Sequence, residues 1–192
     1  MRTKLFFTII VVFTSLLAYG QTKKPSTAER FKAEYVNKNL ENEIIAYAYL
    51  YDPDPNGANI REIPGGKVIK VLRTDIEWEI SLREVWNGWF RISPNIDCSE
   101  DDAIDLKTDS CWIHGSIIAS HTKNYGNEKL NFYAKPDIKS KVVLTVNNEI
   151  TVTFIDIKND WAKVCYTNEN GKKFIGWIEL EWLCSSPYTN CS

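Results

Sequence analysis

The chain has few of the residues that metal and acid–base sites use most. Only two histidines, His114 and His121, and one methionine occur among 192 residues, so a His-rich metal cage is excluded. A basic excess is also absent. The 23 Lys and Arg stand against 25 Asp and Glu, for a net charge of −2, and this excludes the footprint of a nucleic-acid-binding protein. Nine Gly and seven Pro without a fixed period exclude collagen and low-complexity classes. What is abundant is aromatic: seven Trp, nine Tyr and eight Phe in a chain that is 44% hydrophobic and 25% charged. That composition is globular.

A long apolar run is missing as well. The apolar stretch Leu5–Ala18 is short of the roughly 20 residues needed to span a bilayer. It follows Arg2 and Lys4 and ends in Ala18-Tyr19-Gly20. A positive start, a short apolar core and a small-x-small exit make a secretory signal peptide over residues 1–20, with cleavage after Gly20. No Cys sits at that exit, so a lipoprotein anchor is not expected. The expected compartment is periplasmic or secreted, and the protein is not membrane-embedded.

Export permits disulfides. The cysteines are Cys98, Cys111, Cys165, Cys184 and Cys191. Local pairing gives Cys98–Cys111, closing a loop whose bridge would contribute on the order of 3 kcal/mol, and Cys184–Cys191. Cys165 then remains alone within the alternation Trp161-Ala162-Lys163-Val164-Cys165, where a small core side chain is expected. Cys165–Cys184 stays open as an alternative, because spacing does not determine connectivity.

Residues 21–43 are polar, and Ser26-Thr27-Ala28-Glu29 reads as a capping box opening a short helix through about Asn39. From Ile44 onward the texture is short β-rich runs broken by Gly, Pro, Asn and Asp, which predicts an all-β fold. Self-comparison finds a repeat. Ala58-Asn59-Ile60-Arg61-Glu62-Ile63-Pro64 aligns with Leu130-Asn131-Phe132-Tyr133-Ala134-Lys135-Pro136, and Gly88-Trp89-Phe90-Arg91-Ile92 aligns with Asp160-Trp161-Ala162-Lys163-Val164, both offset by 72. Cys111-Trp112-Ile113-His114 meets Gly176-Trp177-Ile178-Glu179 at an offset of 65. The expected organisation is a first domain over 44–119, a linker over 120–127 and a second domain over 128–192.

Each half runs Asn-apolar-x-x-x-Pro, a Lys-Val strand, Asn-(Gly/Asp)-Trp-x-(Arg/Lys)-(Ile/Val) and a closing Trp-Ile. This resembles the bacterial SH3-like domains. Asn59-Ile60-Arg61, Pro64, Asn87-Gly88-Trp89 and Trp112-Ile113-His114 carry the resemblance best; the second half departs from it at Tyr133 and Asp160. The resemblance implies two small SH3-like β-barrels in tandem on an exported protein. It further implies a non-catalytic targeting module for peptide or cell-wall ligands. The thin cores of such small domains rely on large aromatics.

Four features invite chemistry. Asp52-x-Asp54-x-Asn56-Gly57 mimics the start of a calcium loop, but position twelve is Ile63 where Glu is required, so a turn is the better account. Asp97, Glu100, Asp101, Asp102, Asp105 and Asp109 crowd the loop from Cys98 to Cys111 and read as an acidic solvated loop. Asp97-Cys98-Ser99 has a superficial resemblance to the nucleophile of the NlpC-type cell-wall cysteine peptidases. Its context fails, since Glu100 follows the Cys98-Ser99 pair and His114 is close in sequence. The aromatics are the fourth feature. The candidate ligand-binding residues are Tyr49, Tyr51, Asp52 and Trp86 in the first half and Tyr133 and Trp182 in the second. Tyr49, Tyr51 and Trp86 are expected to be partly exposed on one face, with Trp89 mainly buried.

The sequence therefore predicts a non-enzymatic binding protein without cofactor or metal, whose partner is a peptide or peptidoglycan fragment. A competing expectation is an exported inhibitor or immunity-type factor docking a basic exported protein. It rests on seven basic against 13 acidic residues in 44–119, compared with eight and eight in 124–192.

Overall fold

In the computed structural model, residues 24–35, 38, 40–98, 103–185 and 191 are described. The signal-peptide expectation, the acidic residues Glu100, Asp101 and Asp102, and the helix end near Asn39 lie outside them. Among the described residues, no helix is long and apolar enough to cross a membrane.

The capping box forms as its spacing dictates. Ser26 N–H donates to Glu29 Oε2 at 2.6 Å and Glu29 N–H to Ser26 Oγ at 3.2 Å, starting α1 (Thr27–Tyr35). The rest is β. The first half contributes β1 (Ala46–Leu50), β2 (Ala58–Arg61), β3 (Val68–Leu72), β4 (Trp78–Trp86), β5 (Trp89–Ile92), β6 (Asn95–Cys98), β7 (Ile104–Asp105) and β8 (Trp112–His114). A 3-10 turn (Gly115–Ile117) leads into β9 (Ile118–Thr122). The second half contributes β10 (Leu130–Tyr133), β11 (Val142–Val146), β12 (Thr151–Lys158), β13 (Trp161–Thr167) and β14 (Lys173–Glu179). A second 3-10 turn (Leu180–Trp182) then leads to β15 (Leu183–Cys184).

All pairings are antiparallel, and β9 is the pivot. From it the strand order runs β1-β4-β5-β8-β2-β3 one way and β12-β13-β14-β10-β11 the other, with β15 also on β9. The halves match pair by pair. Bulges fall at Ile60/Arg61 and Phe132/Tyr133, and again at Leu82/Glu84 and Phe154/Asp156. Ala48 opposite Ile80 corresponds to Ser120 opposite Val152, and Leu50 opposite Ile118 corresponds to Thr122 opposite Leu183. β9 thus closes the first unit and opens the second.

The expected linker is corrected accordingly. Ser120 and Thr122, placed in a connector by their polarity, are buried in β9. Their hydroxyls are satisfied: Ser120 Oγ donates to Tyr47 O, and Thr122 Oγ1 donates to Asn124 Oδ1 while accepting from Ile150 N–H. A buried strand tolerates such groups once they are paired.

Hydrophobic alternation builds the core. In β4, Trp78, Ile80 and Leu82 face inward, joined by Phe90, Ile92 and Ile113 from β5 and β8, and Phe132, Phe154, Val164 and Ile178 from the second half. Phe90 of the first half and Phe154 of the second meet edge to face at 6.0 Å. Beside them a Cβ on Gly115 would collide with the Phe154 carbonyl and the Phe90 ring, so only glycine lets the halves approach. The β4–β5 turn, Asn87-Gly88, has φ of 48° and 79°, the positive pair that a two-residue hairpin requires.

The predicted Cys98–Cys111 bridge is not formed. Cys98 ends β6 opposite Trp78. The Cys111 thiol is free, buried, and turned onto the Ile92 carbonyl at 3.2 Å. Strand pairing, which the loop's length could not reveal, directs the two sulfurs to separate places. Cys184–Cys191 does form, which closes the Cys165–Cys184 alternative. Cys165 departs from its expected core position. Ala162 and Val164 are the inward residues of β13, so Cys165 shares the opposite, half-exposed face with Trp161 and Lys163.

Candidate functional site

The bulge that interrupts β4 and β12 sets the site. An extra residue in a bulged strand bends it and re-aims its neighbours. In the first half Glu84 then lies opposite Arg91, and in the second Asp156 lies opposite Lys163. This acid–base pair is repeated, but its surroundings are not.

In the first half the pair is closed over. Arg91 Nε donates to Glu84 Oε2 at 3.1 Å, and the Arg91 side chain is wholly buried. Helix α1 lies across this back face of β5 and β8. Phe31 meets Trp86 at 5.2 Å and Trp112 at 5.0 Å, both edge to face. Tyr35 Oη donates to Glu84 Oε1 at 2.9 Å, and Lys38 Nζ lies 3.0 Å from the same oxygen. Burial pushes the Glu84 carboxyl up, but hydrogen bonds from Lys38, Tyr35 and Arg91 outweigh it and hold it below the usual carboxylate range.

In the second half the equivalent face of β13 and β14 carries Trp161, Lys163, Cys165, Lys173 and Ile175, and among the described residues no helix covers it. Ile175 is 52% exposed. Between this face and the first half lies a cleft of about 560 Å³. Asn87, Gly88, His114 and Ser116 line it on one side, and Thr153–Asp156, Lys163, Cys165 and Lys173 on the other. Its volume suits a small ligand, and it presents a carboxylate, two ammonium groups and an amide within one hollow.

His114 serves here as a cap. Its Nδ1 accepts from Ser116 N–H at 3.3 Å and lies 2.7 Å from Ser116 Oγ, at the start of the 3-10 turn. The neutral tautomer therefore carries its proton on Nε2, on the Gly88 side of the cleft. Burial pushes its pKa below the ordinary value, and the Trp89 ring packs against it at 5.1 Å.

The six ligand-binding candidates do not converge. Tyr49 is buried (6% exposed) against His121, whereas the adjacent Tyr51 is 50% exposed and touches Tyr49 edge to face at 6.3 Å. Trp86 is buried (7%) under α1, with its Nε1–H donating to Glu34 Oε2 at 2.5 Å. The expected cleft of Tyr49, Tyr51 and Trp86 is thus not formed, and Trp89, expected inside, is only half-buried. The reason is α1, which covers the outer face of the sheet that alternation alone assigns to solvent. Asp52 accepts from Asp54 N–H, and Asp54 from Asn56 N–H, in consecutive turns, the local bonding these residues favour. Tyr133 packs on Trp161 at 5.7 Å, and Trp182 sits half-buried in the second 3-10 turn. The acidic loop is partly neutralised: Asp105 pairs with Lys107 and Asp109 with Arg83.

Asp156, Lys163, Lys173, Asn87 and Ser116 were not singled out from sequence as site residues. A signal existed for one of them, because Lys163 stands opposite Arg91 in the aligned repeat blocks.

No curated protein matches the chain. Among solved structures it is similar to NlpC2 from Trichomonas vaginalis, at 17% identity over 73% of this chain and 48% of that one, with a TM-score of 0.28. It is similar to NlpC1 from the same organism at 15% identity, over 76% of this chain and 47% of that one, also with a TM-score of 0.28. The chain spans about half the length of these two. Residues 128–183, from just before β10 into β15, match the family described as Bacterial SH3 domain, so the chain contains one bacterial SH3 domain there.

Proposed function

We propose that this is an exported, non-catalytic binding protein of two SH3-like modules sharing β9, and that the cleft between them receives a peptide or cell-wall peptide fragment. The observation that carries this reading is the charge arrangement of the cleft. Lys163 and Lys173 suit a ligand carboxylate, while Asp156 suits a ligand ammonium, and Asn87 and Ser116 add neutral donors and acceptors. A zwitterionic peptide satisfies both signs at once, whereas a neutral sugar satisfies neither and a nucleic acid would satisfy the lysines but be repelled by Asp156. The Cys184–Cys191 bridge accords with an oxidising compartment, as does the N-terminal sequence. The His114 Nδ1 is committed to a structural cap, which supports a binding rather than a catalytic role.

The test is retention on insoluble cell wall. The wild-type chain is expected to sediment with purified wall, and the Lys163→Glu/Lys173→Glu variant to stay in solution with an unchanged melting temperature. Equal sedimentation of both would overturn the reading. A second reading, docking of a basic exported protein, draws on a separate hollow lined by Glu77, Glu79 and Asp97 with Tyr49 and Trp78. Under it neither variant would sediment, and Glu79→Lys would release the partner.

A further inference from the structure

We propose that the face formed by Trp86, Trp112 and Glu84 is a second recognition surface, for an amphipathic helical peptide, and that α1 is its resident occupant held in cis. This surface is separate from the cleft between the modules.

The contacts are those of a ligand on a receptor. α1 adds no strand to the sheet and reaches it through Phe31, Glu34 and Tyr35, with Lys38 joining from beyond the helix end. The spacing of three and four residues places Phe31, Glu34 and Tyr35 on one helical face. Each finds a matched group. Phe31 enters edge-on between Trp86 and Trp112, Glu34 accepts from Trp86 Nε1–H, and Tyr35 and Lys38 both reach Glu84. Of the nine helical residues only Phe31 is buried. A helix this short is marginal on its own, so its order derives from the surface it covers.

The second half shows that the sheet does not need such a cover. Trp177 and Asp156 stand where Trp112 and Glu84 stand, with the same pairing (Tyr133 opposite Trp177, Arg61 opposite Trp112). The strands there are complete, and among the described residues no helix lies across them. If α1 lifts, Glu84 keeps its bond to Arg91, and the receptor face stays charged and organised. The fitting partner is a helix with aromatic side chains at i and i+4 and an acid at i+3, followed by a Lys just past its last turn. The tether gives α1 a high effective concentration, so a free peptide competes only where α1 is disarmed or displaced.

The probe is a synthetic peptide of residues 24–40, titrated against the whole chain carrying Phe31→Ala and Tyr35→Ala. Binding to this variant is expected to be at least about tenfold tighter than to the wild-type chain, and a Lys38→Glu peptide should lose it. Native-state hydrogen exchange on the wild-type chain is the independent measurement, with α1 amides expected to exchange by local opening well before those of β4 and β5. A folded variant that ignores the peptide would overturn the proposal. So would a variant that cannot fold, or α1 amides that exchange only with global unfolding, since either makes α1 an element of the core.

Discussion

Tyr49 and His121 occupy the same position in the two repeats, 72 residues apart, and stack on each other. Their ring centroids lie 5.3 Å apart with planes 18° from parallel, and Tyr49 Oη is 3.0 Å from His121 Nε2. The contact exists because β1 and β9, which carry them, are adjacent strands. An internal repeat has brought two equivalent residues face to face and replaced one ring by a titratable one.

That replacement predicts a pH dependence. Burial lowers the His121 pKa below its ordinary 6.5, and Glu149, at 3.5 Å from Nδ1, opposes this only in part. A base whose folded pKa is depressed contributes stability that is present above its unfolded pKa and lost as pH falls toward the folded value. The urea midpoint is therefore expected to decline below about pH 6.5, with His114 adding in the same direction. His121→Gln should flatten part of that decline. Tyr49→Phe at pH 8 should cost about 1 kcal/mol.

The acid–base pairs allow an internal control. Glu84→Ala leaves Arg91 charged and wholly buried, and is expected to cost about 3–5 kcal/mol in chemical denaturation. Asp156→Ala, at the equivalent and more open position, should cost under about 1 kcal/mol. Equal losses would mean that the second face is as closed as the first.

Two tryptophans close in sequence should behave differently. Trp86, buried beneath Phe31, is expected to cost about 3–5 kcal/mol when replaced by alanine. Trp89, half-buried against His114, should cost clearly less and leave the far-UV spectrum unchanged. Thermal melts of the two variants decide it.

The cysteines separate by reactivity. Burial pushes the Cys111 thiol up to about 11, so it should resist alkylation at pH 8 in the native protein and react only on unfolding. A non-reducing digest should recover Cys184 joined to Cys191 and Cys111 as a free thiol. Breaking the terminal bridge by Cys191→Ser should cost about 2–3 kcal/mol, because the loop it closes is short.

The all-β class, the capping box, the repeat and the Cys184–Cys191 bridge were all legible in the sequence. Each depends on neighbours a few residues apart or on recurrence of a motif. The offset of 72 paired Arg91 with Lys163 from the sequence alone. The polar stretch at 120–122 misled because polarity records only what a side chain is, and not whether a partner waits for it inside. Ser120 and Thr122 are buried because Tyr47, Asn124 and Ile150 supply hydrogen bonds from elsewhere in the chain. The exposed groove at Trp86 failed for a related reason. A strand has two faces, and sequence shows which residues share a face without showing what covers it. Only tertiary structure decided that α1 closes the first module while the second stays open, since that depends on where a tethered helix finds matching rings and a carboxylate in space.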